Sequence, residues 1–210
     1  MQNQLSFVPL IEPLIPQVVD IHSHAFAGQM NVKLGRNYLY RFFKWFVNYP
    51  NSISVVAIES GNRVRGYVIG APLGYDSVLN RELFWIAAGS LIIRPSLWFK
   101  QNIRNAVVSR AITLIRITQQ KDQLPKLPLP TASLVGIGVE PQFQKGGIGI
   151  QLMQNFEEKS KTMQMRSMRL SVYPNNYQAR RLYEKCGWSA FSTAVPTNRT
   201  MYYCKLVSSK

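Results

Sequence analysis

Nine residues, Pro141-Gln-Phe-Gln-Lys-Gly-Gly-Ile-Gly149, constrain the fold of this chain more than any others. A β-branched run, Ser133–Val139, precedes them. An amphipathic stretch, Gly147–Lys161, follows, with Ile148, Leu152 and Phe156 at helical spacing. A glycine-rich turn from a strand into a helix leaves backbone N–H groups unobstructed where the helix dipole is positive, which suits a phosphate or pyrophosphate. It equally suits a tight turn that holds nothing. Two phosphate motifs are excluded: no Gly-Lys-Ser/Thr closes the loop, and after Gly136 and Gly138 the third glycine of a dinucleotide fingerprint would fall on Pro141. Ser167–Tyr173 reads as the next strand, so strand, helix and strand imply a right-handed parallel crossover.

The rest of the chain agrees with an α/β architecture built on a mixed sheet. Leu5–Pro9 reads as a short strand, and Glu12–Phe26 as a helix with Leu14, Val18, Ile21 and Ala25 at spacings of three and four. Arg36–Val47 is a second amphipathic helix, ended by Tyr49-Pro50. Ile53–Glu59 and Val64–Ala71 are β-branched runs joined through Ser60-Gly61-Asn62-Arg63, a hairpin signal. Arg81–Ile93 and Ser96–Gln120 read as helices broken at Arg94-Pro95, and the connector Leu124–Pro130 is rich in proline. Beyond Tyr173, Asn176–Cys186 is a helix stopped by Gly187, and Trp188–Val195 and Thr200–Val207 are closing strands. The 210 residues are expected to form one domain, with residues 131–195 as its core and 77–130 as a helical insertion.

A second cluster shares the last helix: Asn176-x-x-Ala179-x-x-x-Tyr183-x-x-x-Gly187-Trp188. Asn176 and Tyr183 lie on one face two turns apart, with the small Ala179 between them. Taken alone, Asn176 fits an N-cap and Tyr183 a core aromatic. Together with Val139-x-Pro141 and Gln144-x-x-Gly147-x-Gly149, the pattern resembles the GNAT superfamily of acetyl-CoA-dependent N-acetyltransferases over residues 134–188. The order of elements in residues 5–71 resembles the front half of that fold.

The resemblance implies a mixed sheet whose parallel strands splay, with the pantetheine arm of acetyl-CoA paired to the strand backbone like an added strand. By position, Ile137, Gly138 and Val139 would offer main-chain partners. Gln144, Lys145, Gly146, Gly147, Ile148, Gly149 and Ile150 would hold the pyrophosphate, and Asn176 would touch the pantetheine arm. An amine would attack the thioester through an oxyanion that backbone donors stabilise. Tyr183 would act as general acid on the departing thiolate. The general base stays unassigned. The positions where relatives carry a glutamate hold Ser171 and Ser133, and the nearest carboxylate, Glu140, is a weak candidate at the loop mouth. An unperturbed imidazole would suit a base, but His22 and His24 lie two apart on a helix, so a metal pair is not expected. No metal is expected.

Charge adds a question about partners. The chain has 25 Lys+Arg against 10 Asp+Glu, a net +15, of which +6 falls in residues 77–130 and +7 in 131–210. Such an excess attracts nucleic acid, anionic lipid or a polyphosphate ligand, or is simply a solvated surface. With the helix around 36–47, the insertion is expected either to shape a pocket for a small amine acceptor or to add core with snorkelling cations. In the first case Arg94, Lys100, Arg104, Arg110 and Arg116 would recognise an acidic acceptor, such as a nucleotide-linked amino sugar. A membrane-surface role would draw on Phe84, Trp85, Trp98 and Phe99, but the neighbouring cations are spread around their helix. A nucleic-acid module lacks any zinc-finger, RRM or helix-turn-helix pattern. Two cysteines, no leader pattern and no apolar stretch long enough to span a bilayer give a soluble cytoplasmic protein as the expectation, self-association being left open.

Overall fold

Early prolines decide where the first helix begins. In the computed structural model, which describes residues 5–93, 127–191 and 200–207, strand β1 (Ser6–Pro9) leads through a 3-10 turn at Glu12–Leu14 into α1 (Ile15–Ala25). Pro16 falls in the first turn, where its missing N–H leaves no helical acceptor unpaired. A short α2 (Met30–Lys33) is followed by α3 (Arg36–Asn48), whose Tyr38, Leu39, Phe42, Phe43, Trp45 and Phe46 are all buried. β2 (Ile53–Glu59) and β3 (Arg63–Pro72) form the expected antiparallel hairpin. Its turn places Gly61 and Asn62 at positive φ, 81° and 60°, as a tight hairpin requires.

Helix α4 (Tyr75–Ile93) starts earlier than the Arg81 that the apolar periodicity suggests. Gly74, at φ 98°, turns the chain out of the sheet, and Ser77 binds the Gly74 carbonyl through both its N–H and its hydroxyl. The predicted helix Ser96–Gln120, the connector start at Leu124–Lys126 and the closing-strand tail at 192–195 lie outside the described residues. So do Arg94, Trp98, Phe99, Lys100, Arg104, Arg110 and Arg116, and the side chains of Phe84 and Trp85.

The second half follows its expected order: β4 (Thr131–Val139), α5 (Ile148–Thr162), β5 (Ser167–Val172), α6 (Tyr177–Lys185), β6 (Ser189–Phe191) and β7 (Met201–Leu206). Among the described residues, seven strands join one mixed sheet in the order β1-β2-β3-β4-β5-β7-β6, in which β4 and β5 run parallel and the other neighbours antiparallel. Two apolar clusters cover its faces. One, with Val64, Tyr67 and Ile69 of β3, packs beneath α1 and α3; the other, with Val68 and Leu134, packs beneath α5.

Two irregularities of β4 position everything that follows. Ile69 faces Gly136 while Gly70 faces Leu134, so Val135 is an extra residue, a β-bulge. Ala132 and Leu134 join the α5 cluster and Val135 the opposite one, whereas beyond the bulge it is Ile137 and Val139 that face α5. The parallel pairing with β5 spans only Thr131–Ser133 against Ser167–Arg169. Past Ser133 the two strands part.

Candidate active site

The parting of β4 from β5 leads directly to the glycine loop. Glu140 ends the strand, its N–H donating to the Arg65 carbonyl at 2.9 Å, and a 3-10 turn at Pro141–Phe143 follows. Lys145 then takes a left-handed φ of 66°, uncommon for a residue with a side chain, and Gly147 one of 84° as the N-cap of α5. No side chain caps this helix. The first N–H bonded back to the cap is that of Gln151, which reaches the Gly147 carbonyl at 3.1 Å. The amides of Ile148, Gly149 and Ile150 therefore face the loop mouth with the positive end of the helix dipole behind them. Lys145 and Gly146 are exposed on the loop, Ile148 is buried beneath it, and Gly149 lies against Leu182 of α6.

Gln144 ties this loop to its surroundings. Its Nε2 donates to the Val139 carbonyl at 3.1 Å, and its Oε1 accepts from Gln178 Nε2 at 3.0 Å. The carbonyl at the end of the parted strand is thus already engaged, whereas Ile137 and Gly138 pair through their β3 partners Val68 and Tyr67. Asn176 is an N-cap: its Oδ1 accepts from the Ala179 N–H at 3.2 Å, which leaves its amide nitrogen for another partner.

Tyr183 sits on α6, 5 % exposed, with its ring 5.9 Å from that of Tyr203. Its hydroxyl has no hydrogen-bond partner among the described residues. Burial raises its pKa well beyond the ordinary phenol range, so it holds its proton at any physiological pH. Tyr67 approaches from the opposite face of the sheet. Its pKa is raised mainly by complete burial and secondarily by Tyr183. A Cβ on Gly138 would lie 2.6 Å from Tyr67 Cε1, so only glycine lets that ring rest on the strand.

Sequence reasoning did not find Tyr67 or its pairing with His22. His22 Nδ1 lies 2.5 Å from Tyr67 Oη, and His22 Nε2 lies 2.8 Å from Asn31 Nδ2. Since Asn31 Oδ1 already accepts from the Val32 N–H, its nitrogen donates to Nε2, and the proton of the neutral ring is assigned to Nδ1. Desolvation lowers the His22 pKa to about 4, so the buried ring is neutral at pH 7. His24 is exposed, its Nδ1 on the Asp20 carbonyl.

Glu140, the sequence candidate for a base, has both oxygens engaged. Oε2 accepts from Arg65 at 2.7 Å and Oε1 from Gln142 Nε2 at 2.8 Å. Arg65 also binds Glu59 Oε2 through Nε at 2.9 Å, and its guanidinium covers the Phe143 ring at 4.1 Å. Glu59, Arg65 and Glu140 form a brace under the loop, with Glu59 and Arg65 buried and Glu140 at its partly exposed end. Charge within a β-branched hairpin was the one sequence signal for it. No group of described His, Cys, Asp or Glu side chains has the arrangement of a metal site, and no described helix is long and apolar enough to cross a membrane. A cavity of about 300 Å³ lies elsewhere, between α3 and α4, walled by Arg41, Lys44, Trp45, Tyr49, Glu82 and Leu83.

The sequence profile of the Acetyltransferase (GNAT) family matches residues 16–188. The chain belongs to that family. A sequence comparison with curated proteins returns no match. Several solved structures share the GNAT fold at low identity. The ribosomal-protein-S18-alanine N-acetyltransferase of Escherichia coli is 14% identical, with a TM-score of 0.56 over 99% of this chain and 96% of that one. NAA60 of Arabidopsis thaliana, solved with acetyl-CoA, is 13% identical, with a TM-score of 0.60 over 97% and 99%. A spermidine N-acetyltransferase chimera from Vibrio cholerae SpeG and hSSAT is 12% identical, with a TM-score of 0.58 over 97% and 96%. The protein is therefore a GNAT acetyltransferase, and the parted strands and uncapped helix described above lie within the matched region.

Proposed function

We propose that this GNAT enzyme transfers the acetyl group of acetyl-CoA to a primary amine, with a small-molecule acceptor such as an amino sugar favoured. The observation that carries the reading is the separation of β4 from β5 immediately after Ser133 and Arg169, in line with an uncapped, glycine-rich helix start. An open strand edge suits an extended amide-bearing arm, and free helix amides suit a pyrophosphate. Acetyl-CoA, when bound, supplies an activated thioester.

The chain's own residues do the remainder. The amides of Gly147 to Ile150, with Lys145 and Gly146 beside them, bind the pyrophosphate, while Gln144 holds the loop to the strand. Ile137 and Gly138 present main-chain groups to the arm, joined by Val139 if Gln144 yields its carbonyl, and the amide nitrogen of Asn176 completes the contact. Tyr183 Oη, protonated and without another partner among the described residues, gives its proton to the departing sulfur. Glu140 serves as a brace, since Arg65 and Gln142 occupy both its oxygens. The acceptor amine arrives neutral or loses its proton to water.

Structural neighbours differ in acceptor: one is a ribosomal-protein-S18-alanine N-acetyltransferase and another a spermidine N-acetyltransferase chimera. The reading is tested by calorimetry with acetyl-CoA and by thiol release against amino sugars, polyamines, amino acids and peptides. Binding that is lost in Gly147→Glu, with thiol release by one acceptor class, is the expected result. Equal acetyl-CoA affinity in wild type and Gly147→Glu would overturn the assigned donor site.

A further inference from the structure

The last parallel pair of the sheet, Ser133 with Arg169, marks the point where β4 and β5 begin to part. On β5, Met168, Leu170 and Val172 belong to the cluster beneath α5, so Arg169 and Ser171 project to the other face. The α5 face is filled by that core, which leaves the opposite face as the approach for an acceptor. Arg169 is half-buried there, and its Nε lies 3.2 Å from Ser133 Oγ. Tyr75 of α4, the helix that opens the insertion, feels its charge.

Among the described residues no carboxylate pairs with Arg169, and most of the acids have other partners. Glu12 binds Lys44, Asp20 binds Arg36, Glu59 and Glu140 share Arg65, and Glu157 binds Lys205. Glu184 accepts from Tyr203. Asp76, exposed at the start of α4, raises the Tyr75 pKa where Arg169 lowers it, but no ion pair joins Asp76 to Arg169. With Nε committed to Ser133, the two terminal nitrogens form a planar fork, which matches two oxygens of a carboxylate or phosphate.

We infer that the acceptor carries an anionic group, a carboxylate or a phosphate, close to its amine, and that Arg169 reads that group. The inference rests on the transferase reading above and narrows it. It disfavours polyamines, whose charges would meet a guanidinium rather than a carboxylate.

Matched acceptor pairs test it: O-phosphoethanolamine against ethanolamine, glucosamine 6-phosphate against glucosamine, and an amino acid against its amide. Wild type is expected to prefer the anionic member of at least one pair by about 10- to 100-fold in kcat/KM, the range of a charge-assisted hydrogen bond. Arg169→Gln is expected to lose that preference, and Arg169→Lys to retain part of it. The phosphate and amino-acid pairs separate the two anion sources. Indifference or a reversed preference in wild type would overturn the inference, as would a preference that survives in Arg169→Gln. A second readout needs no turnover: modification of Arg169 by phenylglyoxal, followed by mass spectrometry, should be slowed by the anionic member alone. Equal modification with both members also overturns it. Failure of the transferase reading is recognised separately, by the absence of both acetyl-CoA heat and thiol release.

Discussion

Replacing Gly138 by alanine probes the contact on which the centre of the sheet depends. The added methyl would lie 2.6 Å from Tyr67 Cε1, 3.2 Å from Cζ and 3.3 Å from Oη. Ordinary carbon contacts begin near ~3.5 Å, so the ring would have to retreat by about 1 Å. It has nowhere to go: Tyr67 is 0% exposed, its ring centroid is 5.2 Å from that of Phe43, and its hydroxyl is held by His22. Overpacking of this kind costs about 1–3 kcal/mol, and weakening the buried hydrogen bond to His22 adds about 1–2. A loss near 3 kcal/mol corresponds to a fall in Tm of roughly 6–12 °C for a chain of this size. Urea unfolding should show a lower midpoint at unchanged m-value. In Gly138→Ala/Tyr67→Val the colliding ring is gone, so the double mutant should be more stable than the sum of the singles by about 1 kcal/mol or more. A Gly138→Ala protein within about 0.5 kcal/mol of wild type, or strict additivity in the cycle, would refute the reasoning.

Other perturbations address the chemistry and the electrostatics. Tyr183→Phe should lower kcat by about 10²- to 10⁴-fold while acetyl-CoA affinity changes little, as calorimetry and steady-state kinetics will show. Equal kcat values would remove Tyr183 from the reaction. For Glu140→Gln the brace role predicts a raised acetyl-CoA KM with kcat within a few-fold, whereas a kcat loss of about 10²-fold would restore Glu140 as the base. Arg65→Met removes the guanidinium shared by Glu59 and Glu140 from a buried ion pair and should destabilise by about 3–5 kcal/mol in urea unfolding. His22 binds its proton with a pKa of about 4 in the folded protein and near ~6.5 when unfolded, so the unfolded chain takes up more protons between these values. Stability is therefore full above pH ~6.5 and falls as pH drops toward 4, by up to about 3 kcal/mol. His22→Gln should flatten that slope, and an unchanged slope would show that another group sets it.

How much of this was legible in the sequence depends on the range of the interactions. The glycine loop, α5, the Asn176 cap and the β2–β3 hairpin rest on contacts between near neighbours, and residue types alone signal them. The start of α4 was misjudged because its first turn, Tyr75-Asp76-Ser77, is held by Ser77 on Gly74 rather than by an apolar stripe. The brace from Arg65 to Glu140 spans 75 positions, and that from His22 to Tyr67 spans 45. Neither leaves a local pattern. The short parallel pairing of β4 with β5 is a property of two strands together, and no periodicity within either one records it. Arg169 read as one cation among many until its register partner was known.

The bulge at Val135 also limits how β4 can change in length. Because the extra residue reverses which parity faces α5, even positions lie inward before it and odd positions after it. Each half of the strand therefore tolerates insertions or deletions only in twos, counted separately from the bulge. Removing Val135 alone would bring the halves into phase, giving a regular strand in which Ala132, Leu134, Ile137 and Val139 all still face the α5 core. The extra residue thus sets the phase between the paired and the parted halves of the strand, and a graft of this segment that retains Val135 must keep the bulge if Ile137 and Val139 are to face inward.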